Sequence, residues 1–388
     1  MKKLIPLTIC ALSLLNACSK YDGFEVGGDS AYDESSSQSN PSEQGQKGII
    51  TAGEWNDLRN WDFWSKLMLD SSYRDKCTYW GYNTDHRAAV RITDAEGKAV
   101  AGAKIELKSK EYSWQTKTDN KGNASLWLGL DDVSKSYSDS GVKVYIEGKL
   151  YDGQLDFTHH QDEKLQVNEI VLSENIKTED IVDVAFIVDA TGSMSDEIDF
   201  LKSDLVDILE GSSQYNRNTV LRSAAVFYKD QDDDYVTKYQ DFTTDADKTA
   251  EYVKKQRAAG GGDYPEAVHD ALECALQNLS WNENAKSRIA FLILDAPAHD
   301  EVQIKESIRK SIKGFAGNGI SIIGVAASGT DESTEFMLRL FAIATGGTFT
   351  FLTDDSGIGG EHLKPTVGQY QVEHLNDLLK RLIQERME

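Results

Sequence analysis

The chain of 388 residues is short of positive charge: 41 Lys and Arg stand against 64 Asp and Glu, for a formal net charge of -23. Phosphate binding needs a basic stripe, and the longest charge runs here are acidic, so no nucleic-acid partner is expected. Long apolar runs are missing as well. Behind the N-terminus no stretch approaches the about 18 to 20 apolar residues of a membrane span, so nothing else is expected to cross a bilayer. Cysteine is scarce. Of the four, Cys10 and Cys18 lie in or just behind the N-terminal apolar segment, while Cys77 and Cys274 fall in segments assigned below to different domains. One spare thiol per domain makes no disulfide scaffold. Both are expected to be packed thiols, and Cys274 forms no nucleophile motif with His269, because five residues along a helix points the two apart. What is present, 40% hydrophobic and 27% charged residues, suits a folded acidic protein. A soft prior of roughly 150 residues per domain allows two to three domains.

Met1, Lys2 and Lys3 form a short basic region, residues 4–15 are mostly apolar, and Leu15-Asn16-Ala17-Cys18 sets small residues before a cysteine. This pattern resembles a bacterial lipoprotein signal peptide. The resemblance implies cleavage before Cys18 and acylation of that cysteine, with several acyl chains anchoring stably where one would not. A plain secretory signal with an incidental Cys18 is the other reading. Loss of residues 1–17 removes Lys2 and Lys3 and takes the net charge from -23 to -25. Ser19, standing where an Asp would follow the acylated cysteine in some lipoproteins, favours the outer membrane by analogy, with surface exposure an open possibility. Residues 18–48 are rich in Ser, Gly, Asp, Gln and Asn and hold almost no large aliphatic side chains. Such a segment cannot bury enough apolar surface to fold and reads as a disordered tether spanning roughly 30 Å as a coil and about 100 Å when straight.

Residues 49–87 change character: Trp55, Trp61, Phe63, Trp64, Leu67 and Met68 recur mostly every three or four residues. This predicts an aromatic-rich helical connector whose aromatic face packs on the next domain, with a carbohydrate or lipid platform as the alternative. Residues 88–173 show short alternating runs broken by turn signals such as Asp94-Ala95-Glu96-Gly97 and Asp119-Asn120-Lys121-Gly122, where Gly supplies a positive φ. Repeated short strands predict a small all-β sandwich. The string VRITDAEGKAVAGAKIEL followed by TKTDNKGNASL resembles the carboxypeptidase-regulatory-like, transthyretin-like sandwich family. That resemblance implies a fold and no activity, since such modules are spacers or binding accessories.

Residues 180–388 alternate nearly continuous apolar runs (IVDVAFIVD, SAAVFY, RIAFLILD, ISIIGVAA) with helical periods. Ile198, Leu201, Leu205 and Ile208 share one helical face, as do Val268, Leu272, Ala275 and Leu279. Fully apolar strands are buried on both faces, so this is an α/β fold with a doubly wound, mostly parallel, Rossmann-like sheet. Ligands of such sheets sit at the carboxyl ends of the strands. There, Asp189, Thr191 and Ser193 stand at alternate positions of a tight turn and offer hard oxygen donors suited to Mg²⁺. Gly260-Gly261-Gly262-Asp263-Tyr264-Pro265-Glu266 makes a second loop, with Pro265 placed as a first helical residue. Asp295-Ala296-Pro297-Ala298-His299 makes the third.

DATGSMSDEI, GGGDYPEA and LILDAPAH resemble the three loops of a von Willebrand factor type A domain with its metal-ion-dependent adhesion site, over nearly all of 180–388. The resemblance implies metal ligation by Asp189, Thr191, Ser193, Asp263 and Asp295, with Mg²⁺ as the ion, or Mn²⁺ or Ca²⁺. Asp263 departs from the threonine of many members and matches a subgroup with a Gly-Gly-Gly-Asp loop. Three carboxylates around a divalent ion sum to -1, which favours water or a neutral partner oxygen at the open position. The acidic loop Asp230, Asp232, Asp233 and Asp234 reads as a solvated charge run or a second cation site, His299 as a structural histidine, and Glu197 as a charge suited to a helix N-terminus.

The expected function is that of an exported, lipid-anchored envelope protein, not an enzyme, that presents a metal-dependent adhesion site to a protein or glycan partner. The rivals are an envelope-complex scaffold and, less favoured, a metal-dependent hydrolase using Asp263, Glu266 or His299 as base. No Gly-rich phosphate loop or Lys/Asp kinase set occurs, although some relatives with similar loops are fused to kinase domains. Cys18→Ala is expected to release the protein from membranes without unfolding it. Fractionation after a high-salt wash, with metabolic lipid labelling, checks this, and a variant that stays bound places the anchor elsewhere.

Overall fold

The computed structural model describes residues 50–162, 164–173, 176–356 and 362–388. The signal segment, the tether and Cys18 lie outside the described residues. Residues 45–388 form one compact unit. Among the described residues no helix is long and apolar enough to cross a membrane.

The unit begins with β1 (Thr51–Trp55), α1 (Trp61–Leu69) and α2 (Ser71–Tyr79). β2 (Arg87–Asp94), β3 (Lys104–Lys108), β4 (Ser113–Lys117), β5 (Asn123–Trp127), β6 (Lys143–Ile146), β7 (Lys149–Leu150) and β8 (Val167–Leu172) follow. They make a three-stranded sheet, β5-β2-β8, and a four-stranded one, β4-β3-β6-β7. Ile92, Leu126 and Ile170 of the first and Ile105, Leu107, Trp114 and Val144 of the second join one apolar cluster.

Then come β9 (Glu179–Asp189), α3 (Ser195–Tyr215), β10 (Val220–Tyr228), β11 (Thr237–Thr243), α4 (Ala246–Lys254) and α5 (Val268–Gln277). The chain closes with β12 (Ala285–Leu294), α6 (Val302–Asn318), β13 (Ile320–Ala326), α7 (Glu332–Thr345), β14 (Thr348–Thr353), β15 (Val372–His374) and α8 (Leu375–Met387). An eight-stranded sheet runs β11-β10-β9-β12-β13-β14-β1-β15, with β10, β9, β12, β13 and β14 mutually parallel. Side chains alternate across it with the period of two that a strand imposes. Val184, Phe186 and Val188 of β9 join a cluster with α3 and α8, whereas Ala185 and Ile187 join the other cluster with α5, α6 and α7. Both faces are therefore covered, as the apolar runs predict.

The aromatic segment departs from a purely helical connector. Residues 51–55 form a strand wedged between β14 and β15 in antiparallel register, Thr51 opposite both Thr353 and His374. Its partners lie some 300 residues away, so no local periodicity announces it. Gly53 is required there, because an added Cβ would stand 2.7 Å from the Phe351 ring. In the helical part Trp61 and Trp64 are buried, 5.7 Å from Trp127 and 6.0 Å from Phe336 between ring centres. Cys77 and Cys274 are buried and unpaired.

The segment is locked by charge as well as by packing. Arg339 on α7 is 0% exposed; its Nε and Nη2 donate to the two oxygens of Asp57 at 2.9 and 2.7 Å, and Nη1 donates to Glu335 at 2.8 Å. The indole N–H of Trp55 donates to Asp57 Oδ1 at 2.9 Å. Removing one partner of a buried ion pair leaves an uncompensated charge, so Asp57→Ala is expected to cost about 3–5 kcal/mol. Urea unfolding checks it, and a loss under about 1 kcal/mol, the scale of an exposed pair, would show that water reaches Arg339.

Candidate functional site

The β9 chain leaves toward β10 on one side, and the later strand β12 packs on the other, so the strand order reverses beside β9. A crevice forms at such a point, at the carboxyl ends of the strands. β9 ends on Asp189, and β12 stops one residue short of Asp295, with Val188 opposite Ile293. On the other side Tyr228 stands opposite Asp189. Two aspartates thus meet because two neighbouring parallel strands end together.

The turn after β9 is built by the first aspartate. Asp189 Oδ1 accepts from the Thr191 backbone N–H at 2.8 Å and from its hydroxyl at 2.7 Å, and Thr191 Oγ1 lies 3.4 Å from the exposed Ser193 Oγ. The glycine loop is stitched to this turn: Gly192 N–H donates to Gly260 O at 3.0 Å, and Ala259 N–H to Ala190 O at 3.0 Å. It is stitched to the third loop through Glu266 N–H, which donates to Pro297 O at 2.9 Å. Gly260 and Gly261 have φ of +87° and +76°, a region that favours glycine. A Cβ at Gly261 would also come within 2.9 Å of Glu266 Oε1 and 3.0 Å of Thr191 Cβ.

The structure brings Asp189, Thr191, Ser193 and Asp295 together, and Asp263 is exposed on the glycine loop. Glu266, three residues on, is the loop's buried carboxylate and faces Gly261 and Thr191. Pro265 does not open the helix; α5 starts at Val268, and the pairing of Glu266 with Ala298 holds the intervening residues against the third loop. That bridge turns Glu266 inward, and a sequence alignment of the loop has no means of showing it.

Asp189 Oδ2, Asp295 Oδ1 and Glu266 Oε2 are buried without a close hydrogen-bond partner, and the buried Tyr228 hydroxyl faces the Asp189 carboxyl. Burial pushes the Asp189 carboxyl up to about 7, with the charge of Asp295 adding to the shift. It pushes Glu266 up to about 9, with Asp189, Asp230, Asp233 and Asp295 adding. Asp295 is raised too, by burial. Such a set is short of positive charge, and all its donors are hard oxygens, so it fits a small divalent cation held by Asp189, Thr191, Ser193, Asp295 and Glu266.

The outer residues brace these loops. Asp230 is buried with His299 Nε2 at 2.7 Å from its Oδ1, which gives the histidine the structural role expected of it. Asp233 Oδ2 accepts from the N–H groups of Asp230 and Gly261 at 3.2 and 3.0 Å, and Asp234 pairs with Lys229 at 2.8 Å, so most of the acidic loop is engaged within the protein. Glu197 is more than a helix-start charge. It is buried, and its Oε1 accepts from the backbone and hydroxyl of Ser328 at 3.0 and 2.9 Å, tying α3 to the turn after β13.

A von Willebrand factor A domain is found at residues 183–317, and the mixed α/β sheet described above fits it. The alpha-protein kinase vwkA of Dictyostelium discoideum is 30% identical over 149 residues, 38% of this chain and 23% of the kinase. An ariadne-like RING finger protein of Acanthamoeba polyphaga mimivirus is 28% identical over 138 residues, 36% of this chain and 13% of that protein. The chain thus spans less than a quarter of the length of either relative.

The raised carboxyls have a consequence for stability. Asp189 and Glu266 keep their protons in the folded, ion-free protein while the unfolded chain has released its own, so stability falls as pH rises from about 4 toward 7 for Asp189 and toward 9 for Glu266. Between pH 5 and 7 the slope is on the order of 1 kcal/mol per pH unit for each group. In chelator, melting temperature is expected to drop across this range, Asp189→Asn to flatten the drop, and excess Mg²⁺ to abolish it. A flat profile in the parent protein would show that these carboxyls are not held protonated.

Proposed function

We propose that the protein is a lipid-anchored envelope protein, attached through Cys18, that uses residues 180–388 as a divalent-metal-dependent binding module for a protein partner. Its task in this reading is binding and not catalysis. One observation carries it: three loops aim three buried, unpartnered carboxylate oxygens at the switch point of the sheet. The von Willebrand factor A domain is consistent with a protein-interaction role. Mg²⁺, or Mn²⁺ or Ca²⁺ in its place, would be held by Asp189, Thr191, Ser193 and Asp295, with Glu266 rather than Asp263 as the carboxylate of the glycine loop. The ion would supply an electrophilic position open to a partner's oxygen. Three carboxylates leave the site at -1, and Asp263 adds further negative charge beside it, so a neutral carbonyl or hydroxyl is favoured over an acidic side chain. The outer membrane is the proposed location.

Calorimetry of the chelator-stripped protein tests the site. One Mg²⁺ or Mn²⁺ is expected to bind the parent, and Asp189→Ala or Asp295→Ala to abolish binding while circular dichroism shows the fold retained. Glu266→Gln is expected to weaken binding more than Asp263→Asn; the reverse order would make Asp263 the ligand. No binding by the parent sinks the site. Crosslinking in intact envelopes with and without chelator then tests partner dependence on the ion. Capture of a purified polysaccharide instead would favour a glycan, and metal-dependent turnover of a hydrolase substrate would overturn the binding reading.

A further inference from the structure

A second cluster of chemically versatile side chains lies outside the sheet edge, where the chain enters and leaves the small β-sheets. Arg87 and Thr158 form an antiparallel bridge in which each backbone N–H donates to the other's carbonyl, at 3.1 and 2.7 Å. In an antiparallel pair the residues next to a hydrogen-bonded pair face each other at closer range and on one side. Those residues are His86 and His159, and their rings stand 4.6 Å apart, nearly perpendicular. Thr84, Asp85 and His160 flank them.

The polar contacts divide into two sets. On one side, Asp139 presents an oxygen to each ring: Oδ1 lies 2.8 Å from His86 Nδ1, and Oδ2 lies 3.0 Å from His159 Nε2. An ionised carboxylate is an acceptor only, so both of these nitrogens carry the protons and donate. In neutral rings this leaves His86 Nε2 and His159 Nδ1 with lone pairs. On the other side, these two nitrogens converge on Asp85 Oδ2 at 3.8 and 3.4 Å, and the three atoms lie within 4.8 Å of one another. Three electron-pair donors then point at one place; burial lowers the His159 pKa but the hydrogen bonds and charges of Asp85 and Asp139 raise it overall, so the set takes up a proton at His159 Nδ1 or a metal cation.

We infer that Asp85 Oδ2, His86 Nε2 and His159 Nδ1 form a binding site for a Zn²⁺-class transition-metal ion, separate from the oxygen-lined site on the large sheet. Bonds of about 2.0–2.2 Å in a tetrahedron set neighbouring ligands about 3.4 Å apart, so the separations to Asp85 need only small closure. Two imidazole nitrogens select a borderline metal such as Zn²⁺ over Mg²⁺, which takes oxygen. Asp139 is the orienting carboxylate that metal-bound histidines ordinarily carry on the far nitrogen, here shared by both. Asp85 is held as firmly. Its Oδ1 accepts from the His160 backbone N–H at 2.9 Å, and the buried Thr84 hydroxyl sits between His160 Nε2 and the indole N–H of Trp64, at 2.9 and 2.8 Å. Oδ2 is thereby turned toward the two rings. All three ligands are partly exposed, which gives an ion a way in. A fourth position stays open to water or to a side chain brought by a partner.

The test uses the full chain, stripped with chelator and then kept in excess Mg²⁺ so that the oxygen site is satisfied. Zn²⁺ is titrated against a chromophoric competitor, and Co²⁺ is followed by its visible spectrum, which reports tetrahedral coordination. One equivalent of Zn²⁺ is expected to bind, with a tetrahedral Co²⁺ spectrum. His86→Asn and His159→Asn should each lose at least roughly a hundredfold in affinity, and Asp139→Asn roughly tenfold, the cost of removing an orienting group. Asp189→Ala should leave Zn²⁺ binding unchanged, which separates this site from the one proposed above. If the histidine variants fail to fold, the Co²⁺ spectrum of the parent and the Asp139→Asn affinity carry the decision. A parent that binds no Zn²⁺, or Asp139 and histidine variants that bind it as tightly, would overturn the site and leave the cluster a set of imidazole–carboxylate hydrogen bonds.

Discussion

Negative charge forced into a dry place is the constraint around which the sheet edge is arranged. β9 and β12 are neighbours and parallel, so their last residues come out side by side, and Asp189 and Asp295 occupy those ends. Water would relieve the repulsion, but both carboxylates are buried. The nearby loops relieve part of it with backbone N–H groups and hydroxyls, as Thr191 does for one oxygen of Asp189. The oxygens left over are the ones that argue for a cation. Gly260 and Gly261 belong to the same solution: without side chains they let the loop approach closely enough for Glu266 to join the pair.

The interior of the molecule handles charge differently. Arg339 meets Asp57 and Glu335 in a fully paired group, with the guanidinium carbon 4.9 Å from the Trp64 ring centre and 5.2 Å from that of Phe336. Asp57 comes from the segment that carries β1, so the ion pair fixes where the early chain crosses α7. Hydrophobic contact alone would allow α1 to slide along that surface; a planar fork gripping a carboxylate does not. The small β-sheets are secured to the same body by their own contacts, among them Lys313 with Asp131 at 3.1 Å and Asn120 with the Glu385 carbonyl at 2.7 Å. Residues 45–388 are one compact unit for this reason.

What could be read from the sequence follows from which interactions are local. The apolar strands announce themselves because a parallel strand covered on both faces has no polar side to show. Asp189, Thr191 and Ser193 are legible because one short turn carries them all, and Asp295 because it ends an apolar run. The burial of Glu266 is not legible in the loop's own pattern, because it goes with a backbone bridge to Ala298 on a distant loop. β1 is not legible, because a five-residue strand with partners near residues 350 and 373 has no signature of its own. The His86 and His159 pair is hidden for the same reason: 73 positions separate them, and one bridge between Arg87 and Thr158 brings them face to face.

The antiparallel placement of β1 has a mechanical side. Thr51 pairs with Thr353, the last residue of β14, so the strand starts at the edge where the parallel strands finish. Thr51 therefore stands on the same rim that carries Asp189 and Asp295, displaced sideways by the four strand spacings from β9 to β1, roughly 19 Å. A pull on the N-terminal end of β1 directed sideways along that rim would run across the strands rather than along them. A load in that direction peels β1 from its neighbours one hydrogen bond at a time, whereas a lengthwise pull would set all of them in shear at once. The strand would yield early, and with it would go the grip of Asp57 on Arg339.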